Sequence, residues 1–151
     1  IGQVRALLPP LGALVVNIVE TDYWCLMLPP EWSAEEEEGS VLITDQDGIG
    51  ELAITTLVRE SDGAPETSLS EIAQAESPEV SGWSTATFGD FSGVTGQFNE
   101  EGAVLQEWYL SHGVALLYCT YACDAEDAGM DMPAVEEILG TLVPGDALLV
   151  D

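Results

Sequence analysis

The stretch from Val114 to Cys123, VALLYCTYAC, constrains the fold more than any other part of the chain. Side chains on a β-strand point alternately to opposite faces. Read as a strand, its two sets are Val114, Leu116, Tyr118, Thr120, Ala122 and Ala115, Leu117, Cys119, Tyr121, Cys123. Both are apolar or aromatic, whereas a sheet with one wet face alternates apolar and polar residues cleanly. The segment YWCLML repeats the pattern, with Tyr23, Cys25, Met27 against Trp24, Leu26, Leu28. Large bare apolar patches are rare on monomers. Both sheet faces therefore need cover: a helix on each, the N-terminal segment folded over, or a partner or second subunit on one of them.

The stretch TDQDGIGELAI poses a choice between a calcium loop and a turn. Counted from Asp45, the third and sixth positions of an EF-hand loop are filled by Asp47 and Gly50, but the fifth is Ile49 and the last is Thr56. Neither can supply the carboxylate oxygens that such a loop needs. The flanks, Val41 to Thr44 and Ile49 to Arg59, are rich in β-formers. Asp47-Gly48 between them predicts a hairpin with a two-residue type I′ turn.

Further elements follow from local signals. Ser68-Leu69-Ser70-Glu71 reads as a capping box opening a helix whose apolar stripe is Leu69, Ile72 and Ala73 and which ends at Ser77-Pro78. Gly89, Gly93 and Gly96 mark bends or close backbone approach within strands between Gly82 and Phe98. Ala103 to Leu110 and Val114 to Cys123 are strands joined through Ser111-His112-Gly113. Asp124 to Asp131 is a loop or short helical turn. Asp131 is placed to cap a last helix with Pro133 in its first turn and Val135, Ile138, Leu139 and Leu142 on one face. Ser61 to Pro65 is a loop, and Glu35 to Glu38 a solvated loop or helix turn. LGALVVNIV, Leu11 to Val19, is too short for a membrane span, which takes about 20 residues. No small-residue cleavage site follows it. It reads as a strand or an interface segment. The expected organisation is an apolar N-terminal segment over 1–20 and one domain over 21–151. Strands dominate and two helices are clear, so the fold class is α+β: a largely antiparallel β-sheet with helices packed on it.

The size, 151 residues, suits one domain, and 46% hydrophobic residues suffice for a core. The charge is lopsided: 28 acids face two arginines and no lysine, a formal net charge of -26. Such a surface repels nucleic-acid phosphate and anionic lipid, which argues against nucleic-acid binding. Three readings of the acidity stay open: a solvated surface in a salt-rich setting, docking to a basic protein, or an acidic immunity protein or nucleic-acid mimic that blocks a basic one. Cys25, Cys119 and Cys123 are odd in number. Four residues along a strand separate two of them by about 13 Å, too far for a disulfide. With His112 the lone histidine, zinc lacks ligands. Buried thiols in a reducing, cytoplasmic compartment are expected.

The order of elements resembles the PsbP-like fold superfamily, which takes in photosystem PsbP, the Ran-release factor and bacterial domains such as type VI effector chaperones. The matching features are a strand entering a corner, Leu28-Pro29-Pro30-Glu31-Trp32, then a hairpin with an acidic turn, a helix, several antiparallel strands, and a closing helix in MPAVEEILGTL. They span roughly residues 21 to 143. The resemblance implies a non-catalytic, protein-binding or chaperone-like accessory domain. The apolar segment before Glu20 and the extreme acidity depart from the pattern.

No catalytic, metal or cofactor site emerges. There is no nucleophile elbow and no phosphate loop, and His112 reads as a solvated turn residue. A hydrolase using carboxylates remains the alternative, since acid pairs such as Glu100-Glu101 and Glu136-Glu137 are abundant. The sharper expectation concerns one sheet face. With His112-Gly113 as a two-residue hairpin loop, Tyr109 opposes Leu116 and Glu107 opposes Tyr118, while Trp108 opposes Leu117 and Gln106 opposes Cys119 on the other side. The Trp108 face reads as core. The Glu107, Tyr109, Leu116, Tyr118 face mixes aromatic surface with polar handles, a composition favoured at interfaces. It is the expected docking face for a basic or apolar segment of a partner protein, or for a second copy of the chain.

Overall fold

The computed structural model describes residues 2–7, 16–37, 39–46, 48–58 and 66–149. Within them the chain runs β1 (Gly2–Leu7), β2 (Val16–Thr21), β3 (Trp24–Leu28), β4 (Trp32–Glu37), β5 (Ser40–Asp45), β6 (Gly50–Val58), α1 (Glu66–Glu76), β7 (Ser84–Phe88), β8 (Phe91–Glu100), β9 (Ala103–His112) and β10 (Ala115–Asp124). A 3-10 turn at Ala125–Asp127, α2 (Met132–Leu139), β11 (Val143–Pro144) and α3 (Asp146–Leu149) follow. The strands form a four-stranded sheet, β1-β2-β3-β11, and a seven-stranded one, β4-β5-β6-β10-β9-β8-β7. Every pairing is antiparallel. The expected α+β class on a largely antiparallel sheet is the class observed.

The doubly apolar β10 lies between β6 and β9, in the middle of the large sheet. Its inner set, Leu117, Cys119, Tyr121 and Cys123, joins the main core. Val19, Trp24, Leu26 and Leu28 of the small sheet enter the same core, with Val135, Ile138 and Leu139 of α2. The corner Leu28-Pro29-Pro30-Glu31-Trp32 carries the chain from one sheet to the other. The Trp32 amide donates to the Pro29 carbonyl at 3.0 Å, and the Trp32 side chain is buried. Prolines fit here because no ladder donor is required. Trp24 fixes the two sheets to each other, its indole N–H donating to Thr56 Oγ1 at 2.8 Å.

The outer set of β10 meets a second, smaller apolar cluster. Leu69 and Ala73 of α1 are buried there against Val94, Tyr109 and Leu116, with Ile72, Trp83 and Tyr118 packed alongside. One face of the large sheet is thus covered by a sheet containing the N-terminal strands, and the other by a helix over β8 and β9. Gly93 and Gly96 serve the close approaches expected of them. A Cβ on Gly93 would collide with the Tyr109 carbonyl oxygen, and one on Gly96 with Val80 Cγ1 and the Trp83 ring.

Several local expectations are corrected. The β9–β10 loop is Gly113-Val114, so His112 pairs with Ala115 and Tyr109 with Tyr118. The register is displaced by two residues, which preserves the face of every side chain because the strand period is two. The β5–β6 connection is longer than two residues. Asp45 Oδ1 and the Asp45 carbonyl both accept from the Gly48 amide, at 3.0 and 3.1 Å, and Gly48 has φ +66. The Asp45 carboxylate therefore holds a turn. Glu35, Glu36 and Glu37 lie exposed on the edge strand β4, where charge discourages edge-to-edge pairing. Helix α1 begins at Glu66, so Ser68 is already inside its first turn. Asp131 makes no side-chain cap to α2; its carboxylate accepts from Tyr121 Oη at 2.6 Å instead. Asp47, Arg59, Glu38, the loop Ser61 to Pro65 and the Leu11 to Val15 part of the apolar segment lie outside the described residues.

Candidate functional site

The outer face of the large sheet is unevenly covered. Antiparallel partners share a face, so Glu35, Glu37, Leu42, Glu51, Ala53, Thr55 and Leu57 lie on the same side as Tyr118 and Tyr109. At the edge of α1, Leu57 is 50% exposed and Thr55 half-buried, and farther toward β4 Leu42 and Ala53 are half-buried. Glu35, Glu37 and Glu51 are exposed around them. Where this open half meets α1, a hollow of about 440 Å³ is lined by Thr55, Leu57, Ile72, Glu76, Tyr109 and Tyr118.

Two of the four residues expected to form a docking face, Tyr109 and Tyr118, line this hollow. Their rings are 4.9 Å apart, tilted by 41°. Tyr118 is half-buried, whereas Tyr109, Leu116 and Glu107 are buried beneath α1 and the chain around Trp83. The expected face is therefore open only along its Tyr118 edge. The residues that extend it, Thr55, Leu57, Ile72 and Glu76, come from β6 and α1. They lie outside the β9–β10 pair, so the pairing of those two strands does not reveal them. The alternation of Ala53, Thr55 and Leu57 was the available signal.

Behind the hollow lies a buried polar network. Tyr118 Oη donates to Glu107 Oε2 at 2.8 Å. Ser77 Oγ and Tyr109 Oη share a hydrogen bond at 2.9 Å. Glu107 Oε1 and Trp83 Nε1 are buried with no hydrogen-bond partner among the described residues. The Trp83 ring meets Tyr109 edge-on, with centroids 5.5 Å apart. Burial pushes the Tyr118 hydroxyl well above the ordinary tyrosine range, and its bond to Glu107 pushes the same way. Burial also raises Tyr109; the Ser77 bond works against the shift, and the charges of Glu107, Glu76 and Glu79 add to it. The potential at this site is thus negative.

Other candidate groups are occupied structurally. His112 Nδ1 lies 2.9 Å from the Asp90 carbonyl oxygen, so that nitrogen carries the proton, and the ring packs near Phe91. Cys25, Cys119 and Cys123 form no disulfide with one another, and burial raises the Cys119 and Cys123 thiols, which keeps these two poor nucleophiles. Asp124, Glu126 and Asp127 each bring one oxygen within 4.8 Å of the others at the end of β10. With 28 acids in the chain, such surface groupings are expected without a metal. Among the described residues no helix is long and apolar enough to cross a membrane.

Comparison with known proteins places the fold. No protein-family model and no curated protein matches the sequence. Solved structures do match. Cyanobacterial PsbP (CyanoP) from Synechocystis sp. PCC 6803 has a TM-score of 0.58 and 8% identity, over 91% of this chain and 97% of that one. LpqN, involved in cell envelope biogenesis of Mycobacterium tuberculosis, has a TM-score of 0.57 and 15% identity, over 95% and 91%. A protein of Bacteroides thetaiotaomicron VPI-5482 has a TM-score of 0.59 and 19% identity; the match covers 80% of this chain but only 44% of that one. At such identities the likeness is one of fold, and the fold is PsbP-like.

Proposed function

We propose that this PsbP-like chain is a non-catalytic accessory domain that binds another protein through the open half of its outer sheet face. The observation that carries this reading is the mismatch between that face and its cover. Helix α1 packs over β8 and β9, yet the apolar outer residues continue across β6 and β5 to Leu57 and Leu42. The exposed acids Glu35, Glu37, Glu51 and Glu76 border these residues. A half-apolar surface rimmed by carboxylates suits a segment that is apolar on one side and basic on the other. A related fold in LpqN, a protein involved in cell envelope biogenesis, is consistent with an accessory role.

The test is substitution on the open face. Leu57→Asp and Leu42→Asp place charges where a partner's apolar residues would pack. They are expected to abolish capture of basic amphipathic peptides while leaving the circular dichroism spectrum unchanged. A hydrolase activity lost on Glu107→Gln would overturn the binding reading in favour of catalysis by carboxylates.

A further inference from the structure

The hollow beside α1 has a more specific chemistry than the open face around it. Its lining combines one carboxylate, Glu76, two phenol rings, Tyr109 and Tyr118, a hydroxyl, Thr55, and two aliphatic side chains, Leu57 and Ile72. We propose that it receives a single cationic side chain, a lysine or an arginine, presented by a basic segment of the partner; this rests on the docking reading above.

Four of the lining residues, Leu57, Ile72, Glu76 and Tyr118, have a direct part in that reception. Leu57 and Ile72 offer apolar surface to the methylene stem, which long cationic side chains bury while their charge stays solvated or paired. Tyr118, half-buried at the edge of the hollow, offers its ring to the charged head, and the buried Tyr109 packs behind it with centroids 4.9 Å apart. Tyr118 donates to the Glu107 carboxylate, which enriches its ring in electrons and strengthens attraction for a cation. Glu76 stands exposed at the mouth for a direct ion pair. Glu76, Glu79 and Glu107 all act on the Tyr109 hydroxyl, so the field in the hollow favours positive charge.

The chain is poorly supplied to fill this hollow itself. It has no lysine and two arginines against 28 acids, so nearly all cations for its surface come from elsewhere. An anionic occupant would be repelled. A neutral apolar one would take Glu76 out of water without a partner, which is costly.

A short capped peptide with one lysine between leucines, and its twin with norleucine in place of lysine, separate the possibilities. Calorimetry gives the affinities, and NMR amide shifts at Thr55, Ile72 and Tyr118 locate the site. The norleucine twin is expected to bind about tenfold more weakly. Glu76→Gln should weaken the lysine peptide by roughly three- to tenfold and leave the norleucine peptide unchanged. Tyr118→Phe, which keeps the ring but releases Glu107, should cost about twofold, and Tyr118→Leu about tenfold. Equal binding of the two peptides, lost on Leu57→Asp, would retain the docking face and overturn the cation receptor. A lysine preference that survives both Glu76→Gln and Tyr118→Leu would place the cation elsewhere and overturn it too. Binding of neither peptide would overturn the receptor and the docking face together.

Discussion

Tyr118 Oη donates a hydrogen bond to Glu107 Oε2 at 2.8 Å, although the residue directly across the strand pair from Tyr118 is Tyr109. The bond runs diagonally between β10 and β9. It ties a carboxyl that is only 3% exposed to a ring that reaches the surface hollow. Any change at Glu107 is therefore felt at the hollow through Tyr118.

Glu107→Gln should separate stability from binding. The amide keeps a carbonyl acceptor for Tyr118 and removes an ionisable group buried with one oxygen unpaired. Stability in denaturant is expected to rise by about 1 kcal/mol, since burying a carboxyl without full pairing is costly. Affinity for a cationic peptide should fall in the same variant, because the negative field weakens.

The buried phenols set an alkaline limit. Tyr109, Tyr118 and Tyr121 all have raised values, each chiefly through burial. A raised folded value means that the folded state holds the proton more tightly than the unfolded chain does. Their contribution to stability is complete below the ordinary tyrosine value, about 10, and is lost as pH climbs above it. Phenolate absorbance should show these three tyrosines silent at pH about 11 in the native protein and titrating normally in urea. Normal titration of all three in the native state would contradict their burial.

Gly93→Ala should unfold or severely weaken the domain. The new methyl would meet the Tyr109 carbonyl, which is fixed in the ladder between β8 and β9. A loss of about 3 kcal/mol in chemical denaturation is expected. Gly82→Ala is the control, with nothing within 4 Å of the added Cβ; its effect should stay within roughly 0.5 kcal/mol.

Salt should stabilise the protein. A formal charge of -26 repels itself in the compact state, and ions screen that repulsion. The Tm is expected to rise by several degrees between about 0.01 and 1 M sodium chloride, the range over which the screening length falls from about 30 to 3 Å. An unchanged Tm would mean that the acids are spaced beyond one another's reach.

The sequence by itself determined which residues share a face and that both faces of β10 need cover. Strand alternation has a period of two, so Leu116 and Tyr118 stay together, and apart from Leu117 and Cys119, whatever the exact register. It also determined the apolar stripe of α1 and the α+β class, since these depend on local spacing. Tertiary structure decided the rest. The register of β9 on β10 depends on whether His112-Gly113 or Gly113-Val114 turns, and the two differ too little locally for the sequence to choose. Asp131 left its helix because Tyr121, ten residues away, offers a hydrogen bond inside the core. Most of all, only the packing of α1 over β8 and β9 decided that Glu107, Tyr109 and Leu116 are buried while Tyr118 stays at an edge. Thr55, Leu57, Ile72 and Glu76 join that edge from distant positions because β6 pairs with β10 and α1 crosses above. Such neighbours are set by how elements stack, which no local period in the sequence encodes.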